Sequence, residues 1–180
     1  MSKVLTFSRF YPSYHPKAGQ PTFFVEKIVR SIFDDRAFSY KNIEPVKSFG
    51  GHDITTLNLR PVELFEPKHH TIRAGHRFKA GDWFSPRVWG DDINPKSGKK
   101  GPYHSKQITF APDIQVKKVW SFSIVLDGLY IDQQRYLILS GLIKEVAAND
   151  GLDLDDFLDW FRYPREFTGQ IICWNESIDY

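Results

Sequence analysis

Cysteine is almost absent from this chain: Cys173 is the single one among 180 residues. That excludes an internal disulfide framework and the multi-cysteine zinc modules, and it fits a reducing, cytoplasmic setting. Long apolar runs are missing as well. No window approaches the roughly 18–20 consecutive apolar residues a membrane helix needs, so no membrane partner is expected. Met1-Ser2-Lys3-Val4-Leu5 leads directly into a strand-like pattern, without the apolar segment or small-residue cleavage site of a secretion signal. No internal repeat, low-complexity tract or interdomain linker stands out. His52, His76 and His104 have no close Asp, Glu or Cys at ligand spacing, and the neighbours His69 and His70 would face opposite sides of a strand. No metal site and no cofactor are therefore expected. Cys173 sits in an apolar strand run and reads as a core residue rather than a nucleophile.

What remains is the material of one ordinary domain spanning 1–180, with 41% hydrophobic, 26% charged and 16% aromatic residues. The net charge of +2 hides an asymmetry. Residues 68–118 hold eleven Lys/Arg against four Asp/Glu, giving +7, whereas residues 119–180 hold four against eleven, giving −7. A basic middle suits phosphate-bearing ligands, though an uneven solvated surface produces the same count.

Hydrophobic periodicity predicts α+β. Val4–Phe7 reads as a strand and Arg9–Gly19 as a loop, with Pro21 in the first turn of a helix lined by Phe24, Ile28 and Ile32. Residues 34–67 look irregular, with short strands near Ile54–Leu59. His70–Ala74, Trp83–Trp89 and Lys106–Phe110 look extended, and Pro86 places its strand at an edge or a bulge. Ile114, Val116, Trp120, Phe122, Ile124 and Leu126 alternate as one long strand that would bend around a barrel, and Asp127-Gly128 turns it into a hairpin. Two helices follow, one striped by Leu139, Leu142, Ile143 and Val146. The other is striped by Leu154, Phe157, Leu158 and Phe161 and capped by Asp153. Asn149-Asp150-Gly151 separates them, Trp160-Phe161-Tyr163 reads as packing, and Gly169–Trp174 reads as a closing strand.

The richest stretch chemically is Lys68-His69-His70-Thr71-Ile72-Arg73. In an extended segment Thr71 and Arg73 share a face, and Lys68 can turn back toward Thr71. An amine, a hydroxyl and a guanidinium around one pocket can bind a nucleobase or polarise an amide. Burial that lowers a lysine pKa makes a general base, and Thr71 can act as nucleophile or position a water. A solvated basic strand start uses the same residues.

Lys68-x-x-Thr71-x-Arg73, followed by Arg77-Phe78-Lys79-Ala80-Gly81-Asp82, resembles the signature of ASCH domains in the PUA-like superfamily. The later helix-loop-helix Ala148–Phe157 and the strand Gln170–Trp174 resemble that family too, so the likeness covers roughly residues 55–180. Residues 1–54 would complete the fold with a strand, a loop and a helix. The resemblance implies a small mixed PUA-like β-barrel with helices packed at its ends and a cleft for RNA or a modified nucleoside, with Arg73 and Arg77 as ligand contacts. It also implies amidohydrolase chemistry on acetylated cytidine, carried in relatives by a Lys, a Thr and a Glu. The Lys and Thr fall on Lys68 and Thr71, and the Glu position falls on Asp150. Aspartate is one methylene shorter, and a misplacement of about 1 Å can cost on the order of 100-fold in rate. Asp150 also reads as a plain helix-terminating turn residue.

Residues 94–106 form a Gly/Pro-rich basic loop in which Lys96, Lys99, Lys100 and Lys106 suit a phosphate backbone. Tyr103, Trp83 and Trp89 can stack bases, at about 1–3 kcal/mol per base. The full G-x-x-x-x-G-K-[ST] phosphate loop is absent. Arg9, Tyr14, His15 and Lys17 sit in the N-terminal loop, where they could line a cleft. Three functions stay open at this level: nucleic-acid or nucleoside binding, amidohydrolysis, and protein interaction through the acidic C-terminal half. The Asp150 departure favours binding.

Overall fold

A computed structural model of the chain describes residues 2–32, 48–49, 52–53, 57–125, 128–138, 140–162 and 166–180. The architecture is α+β, with helices and two main sheets. The chain gathers into two compact units, each built from separate pieces. The first takes Met1–Phe10, Pro21–Glu66 and Trp83–Ile114; the second takes Tyr11–Gln20, Pro67–Asp82 and Gln115–Tyr180. Among the described residues no helix is long and apolar enough to cross a membrane.

In the first unit, β1 (Lys3–Thr6) runs parallel to β5 (Trp83–Trp89), and β6 (Gln107–Thr109) pairs antiparallel with the same strand. Phe7, Phe84 and Phe110 are buried together, with ring centroids 6.3 and 6.0 Å from Phe7. A short ribbon of β2 (Ser48–Phe49) and β3 (His52–Asp53) also belongs here. Helix α1 (Phe24–Ile32) buries Phe24 and Ile28, as its periodicity predicts, together with Val25, whereas Ile32 is only half-buried. It starts later than Pro21 suggests, because Phe23 adopts a left-handed φ of 56° that no helix accommodates. A 3-10 turn, Val62–Leu64, buries Val62. The strand expected near Ile54–Leu59 falls partly outside the described residues, and Leu57–Leu59 is not extended into a strand.

Pro86 is not at an edge. It lies inside a strand bonded on both sides, opposite Leu5 of β1. Its carbonyl accepts from Phe110 N–H at 3.3 Å, while the ladder to β6 begins only at Arg87. The missing proline donor therefore falls just past the end of the neighbouring strand, where it removes no ladder bond.

The second unit is a five-stranded antiparallel sheet in the order β10 (Gln134–Tyr136), β9 (Gly128–Ile131), β8 (Lys118–Val125), β11 (Phe167–Cys173) and β4 (His70–Ala74). The expected hairpin after residue 125 exists as the antiparallel β8–β9 pair, although its turn at 126–127 lies outside the described residues. The expected long strand over 114–126 is two strands. β7 (Ile114–Gln115) pairs with β5, then the chain changes partners: Val116 exchanges backbone hydrogen bonds with Gly81 and Asp82, and Lys117 N–H donates to Cys173. The described strands form separate ladders rather than one closed ring.

One face of this sheet carries Ile72, Ile171 and Trp120 in register, then Phe122 beside Gly169. Helix α3 (Leu154–Trp160) packs its Phe157, with Phe161 just beyond, against Phe122 at 6.3 and 5.7 Å. Asp153 caps it as predicted, accepting from Asp156 N–H at 2.8 Å. Helix α2 (Gly141–Asn149) buries Ile143 and Val146 and is capped by Ser140; Leu139 and Tyr163 lie outside the described residues. Cys173 is fully buried and its thiol is pushed up to about 11 by burial, so the native protein is expected to resist thiol-specific reagents. Labelling with a chromogenic disulfide should proceed only at the rate of unfolding, and rapid labelling at neutral pH would show that the β11 end opens locally.

Candidate functional site

The residues quoted from the Lys68–Arg73 strand, the Arg77–Asp82 turn, the helix-loop-helix and the closing strand all fall within the second unit. Their geometry begins with how α2 ends. Gly151, at φ 79°, lets the chain reverse; its N–H bonds to Ala148 and that of Leu152 bonds to Ala147 at 3.0 Å. This double closure is a Schellman cap, and it makes Asp150 the C-cap that follows the last helical residue, Asn149.

Two groups of Asp150 then meet Lys68, from a residue 82 positions earlier in sequence. The Lys68 ammonium donates to the carboxylate Oδ1 at 2.7 Å and also to the Asp150 backbone carbonyl. That carbonyl is one of the orphans at a helix C-terminus, where a cation is favoured. Lys68 is fully buried and Asp150 is 5% exposed. The backbone reinforces the join, since His69 N–H donates to Asn149 at 2.8 Å and its carbonyl accepts from Trp174. Burial alone would raise the Asp150 carboxyl, but Lys68 and His70 outweigh it and hold the acid below the usual carboxylate range.

His70 is the residue of this buried cluster that sequence reasoning did not select. Its Nδ1 lies 3.6 Å from Asp150 Oδ1, its ring meets Tyr180 edge-on at 5.6 Å, and burial lowers its pKa so that it stays neutral. Strand alternation gave the available signal, because position 70 is two residues from Lys68. Tyr180 accepts from Asn149 at 2.9 Å and is held protonated by burial.

Thr71 and Arg73 share the other face of β4, as predicted, across from Ile172 and Gln170 of β11. Thr71 is buried. Burial lowers the Arg73 pKa, and the Asp150 carboxylate partly offsets that effect. Gln170 grips the backbone of Phe78 with both ends of its amide, at 2.9 and 3.0 Å, and so fixes the turn that carries Arg77. Gly81 at φ 90° and Asp82, whose carboxylate accepts from Lys79 N–H at 2.8 Å, close that turn. Arg77 is exposed.

In the N-terminal loop, Asp156 collects Tyr11 at 2.8 Å and Lys17 at 2.6 Å. His15 is buried there. Its Nδ1 accepts from Lys17 N–H, which leaves Nε2 to donate to the Asp156 carbonyl at 3.1 Å. This tautomer spends both ring nitrogens on structure. Tyr14 is used similarly, donating to the Trp160 carbonyl, and Arg9, in the first unit, pairs with Asp91 at 2.7 Å.

The remaining candidates belong to the first unit. The 94–106 loop is organised by its own hydrogen bonds. Asn94 Oδ1 accepts from Lys96 and Ser97 N–H, its amide donates to His104, and Ser105 joins Gly101 to Asp92. That frame leaves Lys96, Lys99, Lys100 and Lys106 exposed. Tyr103 is 88% exposed with its ring 5.5 Å from Trp89, and Trp83 is 48% exposed. No known protein family, curated protein or solved structure matches the chain.

Proposed function

We propose that the protein binds RNA or a modified nucleoside as an ASCH-type domain of PUA-like, barrel-derived fold, with Lys68, Asp150, Thr71 and Arg73 at the ligand. The observation that carries this reading is the buried ion pair between Lys68 and Asp150, which unites the two sequence segments on which the resemblance rests. A carboxylate held low offers acceptors to the exocyclic amine of a base, and the Lys68 ammonium beside it offers donors to carbonyl oxygens. In the first unit the exposed lysines of the 94–106 loop supply phosphate contacts, and Trp89 with Tyr103 supplies a stacking platform.

The same pair supports amidohydrolysis of acetylated cytidine as a second reading, with roles different from those the sequence suggests. An ionised Asp150 is the base: it takes a proton from water as the oxygen attacks the acetyl carbonyl, then delivers that proton to the departing N4 amine. The Lys68 ammonium stabilises the oxyanion, and the products are cytidine and acetate.

Both readings are tested by mixing the protein with single-stranded RNA and with acetylated cytidine. Binding is expected to weaken as salt rises. Neutralising Lys96, Lys99 and Lys100 together should flatten the slope of log affinity against log salt by about two, from roughly 0.7 per released contact. Affinity indifferent to both salt and these lysines would remove the binding proposal. Release of cytidine that disappears in Lys68→Met would establish the second reading, and no release would dismiss it.

A further inference from the structure

Within the first unit, away from every residue assigned above except Arg9, an open concavity of about 260 Å³ lies between the start of α1, the Arg9–Phe10 segment and residues 57–60. Its walls are apolar and aromatic, with Phe10, Phe23, Leu57 and Leu59 among them. Two of its lining residues, Phe23 and Asn58, hold left-handed φ values of 56° and 49°. A bulky residue in that region stores strain, and strain of this kind gathers where a ligand is clamped. Phe23 is locked there by stacking on Phe65 at 4.7 Å.

The polar content of the concavity is specific. Glu26 is 5% exposed, and its Oε1 accepts from the backbone N–H of Arg60 at 3.1 Å, so the carboxylate lies between the two walls. Oε2 has no hydrogen-bond partner among the described residues, and a carboxylate has about four acceptor positions, of which one is used. Arg9 is neutralised by Asp91 and lies over the Phe10 ring at 5.3 Å. Arg60 is exposed and forms no ion pair among the described residues.

We propose that this concavity is a binding site for guanine carrying a phosphate. A buried carboxylate with spare acceptors calls for two adjacent N–H donors, which guanine presents at N1 and N2. Adenine and cytosine offer one donor group beside an acceptor, and uracil flanks its N–H with two carbonyls that would repel the carboxylate. The aromatic walls suit a planar ring. A cationic ligand is disfavoured by Arg60 at the rim, whose charge no carboxylate offsets among the described residues. The volume lies below the roughly 300 Å³ at which sites begin to enclose drug-sized ligands, so it takes the base and leaves the phosphate outside, toward Arg60.

The test is calorimetric titration with GMP, guanosine, AMP, CMP and UMP, and with short single-stranded RNAs that do or do not contain guanine. GMP is expected to bind at least about tenfold tighter than the other nucleotides. Glu26→Gln keeps an acceptor for Arg60 N–H but turns one oxygen into a donor, and it should remove that preference. Arg60→Ala, at an exposed position, should weaken GMP while leaving guanosine unchanged. Glu26→Gln should leave the salt-dependent binding of guanine-free RNA intact, which separates this site from the one proposed in the second unit. A guanine-containing RNA that binds where GMP also binds would identify a nucleic-acid source, and GMP alone a free nucleotide. Equal affinity for GMP and AMP, or an unaltered preference in Glu26→Gln, would overturn the assignment.

Discussion

Asp150→Ala is expected to lower the free energy of unfolding by about 3–5 kcal/mol, because it leaves the fully buried Lys68 ammonium without its counter-charge. Lys68→Met should cost a similar amount by leaving the carboxylate without its partner. Replacing both, as Lys68→Met with Asp150→Leu, should recover most of that loss, since two apolar groups need no compensation. Urea unfolding of the four proteins measures this directly. Additive losses in the double variant would mean that the two side chains do not act as a pair. Acid should act in two stages. His70 binds protons less readily folded than unfolded, so its contribution is whole above its unfolded pKa of about 6.5 and erodes as pH falls below it. The Asp150 carboxyl is likewise depressed, so its contribution is present above about pH 4 and fades below that value. His70→Gln should erase the first stage and Asp150→Asn the second.

Gly169→Ala is expected to cost about 3 kcal/mol or more, although it adds one methyl group. A Cβ at this point of β11 would run into the Arg73 carbonyl oxygen, with the Arg73 carbonyl carbon at 2.8 Å and Ala74 Cα at 3.0 Å. All three are backbone, so no rotamer change relieves the clash and the β11–β4 ladder has to spread. The strand that moves also holds Thr71 and Arg73, so RNA affinity should fall together with the melting temperature. A variant with unchanged melting and unchanged binding would show that β4 is free to shift at this register.

Side-chain patterns revealed those parts of the fold that side chains themselves decide. The bounds of β4 and β5 follow from alternation, and the α3 cap follows from Asp153, whose carboxylate performs the function its position suggests. The division of the 114–125 region was hidden, because Val116 and Trp120 keep the same parity on both sides of the break. What changes there is the backbone partner, and backbone bonding leaves no trace in residue type. Pro86 misled for a related reason: whether a missing N–H matters depends on where the neighbouring strand stops. At the site, Lys68 stood out in its own strand, whereas Asp150 entered only through the family resemblance, since nothing local links positions 82 residues apart. His70 was visible and read only as a possible ligand for a metal. The concavity at Glu26 joins three distant segments and was beyond any reading of the chain in order.

The position of β11 has a consequence for how the protein is made. It follows every other described strand in sequence, yet it lies between β8 and β4 and is, among the described residues, the only strand with which β4 pairs. While the ribosome is still adding residues before 167, both neighbours present unsatisfied edges, and the Lys68 segment has no sheet to lie on. Exposed edges of this kind pair readily with other chains. A nascent chain is therefore exposed to aggregation until residue 173 has been added, and chains stopped short of that residue are the forms a cell would have to remove.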